Sequence, residues 1–195
     1  KKSFDVIVIG GGAAGMMAAI TAASNGADTM ILEHKDRVGK KILSTGNGKC
    51  NYTNELQGVT YYRGDDPAFV LPVMEQFGFE ETVSFFEKLG IYPKNRNGYY
   101  YPASEQAASV SDVLRMELTF RHVAVVTECE LRNISEKKNG FLLETGKGRF
   151  SAQKIIFATG LLAAPKTGSD GSAIPLIKAF GHRFSDIVPA LTALQ

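Results

Sequence analysis

The stretch FDVIVIGGGAAGMMAAITAASNGADTMILEH, residues 4–34, decides the fold of this 195-residue chain. FDVIVIG is a short, β-branched, nearly uninterrupted apolar run, the composition of a parallel strand buried on both faces. AAGMMAAITAAS follows with strong helix formers, and Asn25-Gly26 supplies a stop. ADTMILEH then reads as a second strand. Strand, glycine turn, helix and strand in this order make a βαβ unit, over residues 4–33.

The turn carries Gly10-x-Gly12-x-x-Gly15. Gly10 permits a tight bend, Gly12 lets the backbone approach a pyrophosphate, and Gly15 lets the helix pack close to the strand. The helix start, at Ala13 and Ala14, adds N–H groups and a partial positive end. Alone, this fingerprint is weak. Glu33 strengthens it, because an acid closing the second strand accepts hydrogen bonds from a ribose diol and repels a 2′-phosphate. An adenine dinucleotide other than NADP is therefore expected. The plainer alternative is a glycine-rich turn in an unrelated α/β domain, with Glu33 a surface acid. His34 and Lys35 come next, near the expected adenosine; an exposed histidine is an equally good reading of His34.

Composition narrows the function less. The 44% apolar content suffices for one core. With 22 Lys and Arg against 20 Asp and Glu, no basic surface argues for nucleic acid or an anionic membrane. Cys50 and Cys129 are the two cysteines, too far apart in sequence for a C-x-x-C metal site or dithiol, and compatible with a reducing cytoplasm. Lys1, Lys2 and the apolar run after them imitate a signal peptide, but Asp5 and four glycines interrupt it. The run is also too short and glycine-rich for a membrane span. His34, His122 and His182 show no metal spacing, so no metal is expected.

Further along, Val83, Phe86 and Leu89 share a helical face, and Val110, Val113, Leu114 and Leu118 share another. Asn97-Gly98 marks a turn or short hairpin between them, beside Tyr99, Tyr100 and Tyr101, which read as packing residues. From Val123 the period becomes that of strands. Lys138-Asn139-Gly140 and Gly146-Lys147-Gly148 divide three runs, which predicts a three-stranded antiparallel meander over about 123–151. KIIFATG, 154–160, then reads as a separate buried return strand. The fold class expected is α/β: a Rossmann-like domain with a parallel sheet, a helical segment and a meander.

Residues 38–54, VGKKILSTGNGKCNYTN, are too polar and glycine-rich for a helix or buried strand. A solvated loop is one reading; a ligand-holding loop is the other. A plain NAD dehydrogenase domain continues with regular βα units, whereas this order of loop, helices, meander and A-T-G strand looks like the flavoproteins with two dinucleotide-binding domains. GKKILSTGNGKCNYTN, YYYPASEQAASVSDVL and ATGLLAAPKTGSDGSAIPLIKAFGHRFSDIVPAL together resemble the aminoacetone-oxidase-like, BaiN-type family of FAD-dependent oxidoreductases. The likeness runs through essentially the whole chain. It departs at Leu161 and Ala163, where the family pattern has glycine and serine.

The resemblance implies FAD as cofactor and a small-molecule substrate, with amine oxidation or activated double-bond reduction as the chemistry and NAD(P)H as a transient donor. It implies that Gly39 turns under the pyrophosphate and that Lys40 or Lys41 neutralises phosphate. Thr45, Gly46, Asn47 and Gly48 would present exposed amides, with Asn47 and Asn51 near the ribityl chain or ring edge. Cys50 would lie by the flavin, although a lone cysteine is more often a small buried hydrophobe. Cys129 and Glu130 would meet adenine through backbone, and Ala158, Thr159 and Gly160 would pass near the cofactor. PALTAL, 189–194, falls where the family leaves the FAD domain for an inserted substrate domain and a C-terminal flavin segment. The chain is thus expected to be an N-terminal portion, inactive alone. An NAD-binding dehydrogenase domain and a non-catalytic dinucleotide-binding fragment remain as alternatives.

Overall fold

A computed structural model describes residues 2–188. The expectation placed on the chain end at 189–194 lies outside the described residues. The chain divides into two compact units, one of residues 1–41 and 115–195, the other of residues 42–114.

The first unit opens with β1 (Ser3–Ile9), α1 (Ala13–Ser24) and β2 (Thr29–Leu32), the expected βαβ unit. β1 and β2 run parallel, with Val6 opposite Thr29 and Ile9 opposite Leu32. Ile7 and Val8 are fully buried, as a central strand requires. The helix buries Gly15, Met16, Ala19 and Ile20, one stripe of its surface.

The second unit contains β3 (Thr53–Asn54), α2 (Leu71–Met74), α3 (Phe79–Lys88), β4 (Pro93–Arg96) and β5 (Tyr99–Pro102). The three strands form an antiparallel sheet in the order β3-β5-β4. Asn97 and Gly98, both at positive φ, make the β4–β5 turn, so Asn-Gly forms the short hairpin. Aromatic contacts hold this unit: Tyr52 to Phe86 at 4.9 Å, Phe79 to Tyr100 at 4.8 Å and Phe85 to Phe86 at 5.2 Å between ring centroids. On α3 only Phe86 of the expected face is buried. α4 (Ala107–Phe120) buries Val110, Leu114 and Leu118.

The chain continues into β6 (Ala124–Val126), β7 (Leu131–Lys137), β8 (Gly140–Thr145) and β9 (Gly148–Phe157). All join β1 and β2 in one six-stranded sheet, order β6-β2-β1-β9-β8-β7. Two expectations need correction here. Val123 does not begin the meander: β6 lies parallel to β2 at the sheet edge, and Glu128, left-handed at φ 48°, falls in the segment between β6 and β7. Nor is the return strand over 154–160 separate. β9 pairs antiparallel with β8 as far as Ala152 and parallel with β1 from Ser151 onward. No glycine or proline lies between Phe150 and Phe157 to break it, so one strand serves both halves.

The core of this unit joins β1 and β2 to the meander through Phe4, Ile7, Met30, Leu32, Leu143 and Phe150. The last element among the described residues is α5 (Ile174–Ala179), followed by Phe180, whose ring meets Phe141 at 5.9 Å. No helix among the described residues is long and apolar enough to cross a membrane.

Candidate dinucleotide site

The three fingerprint glycines do different work. Gly10 sits at φ 98°, and a side chain there would begin 2.7 Å from the Ala158 carbonyl oxygen. At Gly15 the clash is more severe, 1.8 Å from the Gly10 carbonyl oxygen. Both glycines are demanded by the fold itself. Gly12 is not: its φ of −75° suits any residue, and no atom beyond its chain neighbours lies within 4 Å of where a side chain would start. It stands at the N-cap of α1, which no side chain caps. The first N–H groups of a helix lack intrahelical acceptors, and Ala13 and Ala14 in that turn are exposed. Open space over uncapped amides is a cradle for an anion.

Glu33 stands at the edge of this cradle and is buried, not the surface acid of the plainer reading. Its Oε2 accepts the Gly11 N–H at 2.7 Å and its Oε1 accepts the Lys35 N–H at 2.8 Å. A carboxylate has about four acceptor sites, so the two backbone donors fix its orientation and leave capacity for a diol. Gly11 was not among the expected residues. A side chain there would strike Val38 Cγ1 at 2.4 Å, and its carbonyl accepts the Gly39 N–H at 2.8 Å. The unbroken Gly10-Gly11-Gly12 run was the available signal. Gly39 has φ 77°, as its turn requires.

The structure brings several expected residues to Glu33. The Cys129 N–H donates to the Glu33 carbonyl at 2.9 Å, and the Glu128 N–H donates to the Lys35 carbonyl at 2.8 Å. Segment 128–130 thus runs beside 33–35; Cys129 is buried, whereas the Glu130 side chain is exposed, 3.6 Å from Arg132. The Ala158 N–H donates to the Ile9 carbonyl, which places the A-T-G strand end next to the glycine turn. Thr159 makes only a long contact to the Gly160 carbonyl, 3.4 Å, and Gly160 is exposed at φ 69°.

The loop after this strand end, residues 164–171, reaches His34, the neighbour of the acid. His34 Nδ1 lies 3.5 Å from Glu33 Oε1, and its Nε2 lies 3.4 Å from Asp170 Oδ2 without hydrogen-bond geometry. The Asp170 carboxyl is held below the usual range, first by the Ser172 hydroxyl. The Lys41 ammonium donates to Ser169 Oγ at 3.2 Å. Lys40 instead pairs with Asp36 at 2.9 Å, so its charge is already answered.

In the second unit, the loop at 42–48 has Gly46 and Asn47 both at φ 53° and Gly48 at φ 80°. These three residues are exposed, and Thr45 donates its hydroxyl to the Ile42 carbonyl at 2.6 Å. Asn51, with its amide turned to donate, reaches the carbonyls of Thr53 and Tyr100 at 2.9 and 3.1 Å. Cys50 is buried at φ 59°. Burial pushes its thiol above the ordinary pKa, and a hydrogen bond with Thr45 pulls it partway back. Such a thiol is a poor nucleophile at neutral pH. Cys50→Ser is expected to leave FAD affinity within about three-fold, because it keeps a small side chain with hydrogen-bonding capacity. In the unmodified chain, Cys50 is expected to alkylate with iodoacetamide at pH 7 several times more slowly than free cysteine. Rapid alkylation would contradict its burial.

Among the described residues no group of three His, Cys, Asp or Glu side chains is arranged to hold a metal ion.

Comparison with known proteins gives a consistent answer. Residues 4–189 match the family model for the HI0933-like protein Rossmann domain. A 3-dehydro-bile acid delta(4,6)-reductase of Clostridium scindens is 45% identical over 190 residues, 96% of this chain and 46% of that protein. A ribosomal RNA dihydrouridine synthase of Escherichia coli is 26% identical over 180 residues, 92% of this chain and 45% of its own. The chain therefore spans about half the length of these curated relatives. Among solved structures, 3-ketosteroid-delta4-(5alpha)-dehydrogenase from Rhodococcus jostii RHA1 superposes with a TM-score of 0.68 at 15% identity, over 93% of this chain and 54% of that one. That likeness speaks for the fold. The chain belongs to the HI0933-like Rossmann-domain family, a family of FAD-dependent oxidoreductases.

Proposed function

We propose that the first unit holds the adenosine diphosphate half of FAD and that the complete protein moves hydride between the flavin and a small organic substrate. The observation that supports this most is the buried Glu33 carboxylate, fixed by the Gly11 and Lys35 amides beside the open backbone at Gly12. Glu33 takes the ribose hydroxyls. The Gly10–Gly15 turn and the start of α1, with Ala13 and Ala14, take the pyrophosphate. Segment 128–130 lines the adenine through its backbone, and Lys40 or Lys41 neutralises phosphate charge. Thr45, Asn47, Gly48 and Cys50 are proposed as a further cofactor-binding loop, supported by the exposed, left-handed backbone of Gly46, Asn47 and Gly48 within it.

The flavin supplies the redox chemistry; the protein positions substrate and excludes water. Of the two reactions expected, reduction of an activated double bond is favoured, because the relative with 45% identity is a reductase. NAD(P)H is the proposed electron donor and the cytoplasm the proposed compartment.

An absorption spectrum of the purified protein, before and after incubation with FAD and removal of excess, tests the cofactor assignment. Stoichiometric flavin bands that survive gel filtration are expected. A folded protein that retains no flavin but binds NADH would overturn it in favour of a nicotinamide site.

A further inference from the structure

Three cations of the second unit converge on one carboxylate. Glu105 accepts from the Lys94 ammonium at 2.7 Å, pairs with the Arg96 guanidinium, and lies 3.9 Å from the Lys49 ammonium. Lys49 belongs to the T-G-N-G-K-C-N loop, Lys94 and Arg96 to β4, and Glu105 to the turn before α4. Glu105 is itself left-handed, at φ 52°, a conformation that costs a non-glycine residue energy. One negative charge thus stands against three positive ones in a cluster whose members are all partly exposed.

The surroundings of the cluster are equally specific. Residues two apart on a strand share a face, as do residues directly opposite each other across an antiparallel pair. Lys94 stands opposite Tyr101 and Arg96 opposite Tyr99, so two cations and two tyrosines occupy one face of the β4–β5 hairpin. The Arg96 guanidinium lies 5.9 Å from the centre of the Tyr101 ring, and Tyr99 is half exposed. Asn95, on the other face, takes up Glu55 instead, at 3.3 Å. Glu105 is therefore the one acid that this face shows paired with its cations.

We propose that Lys49, Lys94 and Arg96 form a recognition site for the carboxylate of an organic substrate, with Tyr99 and Tyr101 lying against its apolar body and Glu105 occupying the site until the ligand displaces it. The occupant already there is a carboxylate, so the donor geometry suits one; arginine in particular matches a planar, two-oxygen acceptor. Excess positive charge gives the incoming anion a reason to bind after Glu105 swings away, and the exposure of all four side chains makes the swing cheap. The proposal deepens the small-molecule reading by naming a substrate class, and its test reads binding alone, so a failure here is distinct from a failure of the flavin assignment.

The test is a calorimetric titration of the full-length protein with cholate as the organic carboxylate, beside inorganic phosphate and an eight-residue oligouridylate. Cholate is expected to bind more weakly as salt rises. Glu105→Gln should tighten it about three-fold by removing the internal competitor. The double variant Lys94→Ala, Arg96→Ala should weaken it at least ten-fold, roughly the loss of two charge-assisted bonds. Cholate affinity unchanged in both variants, with only the melting temperature lowered, would overturn the proposal and make the cluster a structural ion-pair network. Oligouridylate binding tighter than cholate would overturn the small-molecule assignment in favour of RNA. Phosphate competing with cholate at equal affinity would overturn the role of the tyrosines.

Discussion

Gly15→Ala is expected to yield no stable folded protein, whereas Gly12→Ala should fold normally and lose its cofactor. A methyl group at Gly15 would lie 1.8 Å from the Gly10 carbonyl oxygen, and the atom it meets is backbone that cannot rotate away. Relief requires α1 to move off β1, exposing Met16, Ala19 and Ile20, so a loss of more than about 4 kcal/mol is expected. At Gly12 the same methyl group meets no protein atom, and the backbone is already in a region open to alanine. Its effect on stability should stay within about 1 kcal/mol, the scale of an N-cap change. FAD affinity should nevertheless fall about a hundred-fold, because the added carbon takes the space assigned to the pyrophosphate. Thermal melts by circular dichroism and FAD titrations of both variants check the contrast. A Gly12→Ala protein with full FAD affinity would place the pyrophosphate elsewhere.

The second large effect is expected at Glu33→Arg. The buried Gly11 N–H and the partly buried Lys35 N–H would lose their acceptor, at about 1–3 kcal/mol for the buried donor and less for the other. A guanidinium would also replace the ribose acceptor. FAD binding should become undetectable at micromolar protein, with a lowered melting temperature. Glu33→Gln separates the two consequences: it keeps one acceptor oxygen and the shape of the side chain, so the fold should survive while FAD affinity drops about ten-fold. Equal affinity in wild type and Glu33→Gln would show that the carboxylate serves the fold and not the ribose.

The glutamine variant also bears on NAD against NADP. With the ribose placed as proposed, Glu33 would repel a 2′-phosphate, and removing that charge without inserting a donor array should not create NADP affinity.

Much of the first unit could be read before any fold was known. β1, α1 and β2 each declare themselves by composition and period, and Gly10 and Gly15 are required by contacts formed within that unit or at its border. The Asn97-Gly98 hairpin was readable for the same reason, since two residues of turn chemistry fix the register of the strands on either side. The turn residues mark the hairpins of the meander but not its last boundary. β9 has no break in sequence where its partner changes from β8 to β1, and turn residues were the only markers available.

The amino-acid order alone therefore settled the βαβ unit, its glycine turn and the acid that ends it, because each depends on a few neighbours and on backbone preferences that side chains express locally. The rest needed the folded chain. The donation from Cys129 to Glu33, the reach of Lys41 to Ser169, the approach of Gly168 and Asp170 to His34, and the arrival of Lys49 at Glu105 join residues far apart in sequence. No period or motif encodes such pairings. They arise, within each unit, when strands choose their neighbours and bring distant loops together, which only the folded chain decides.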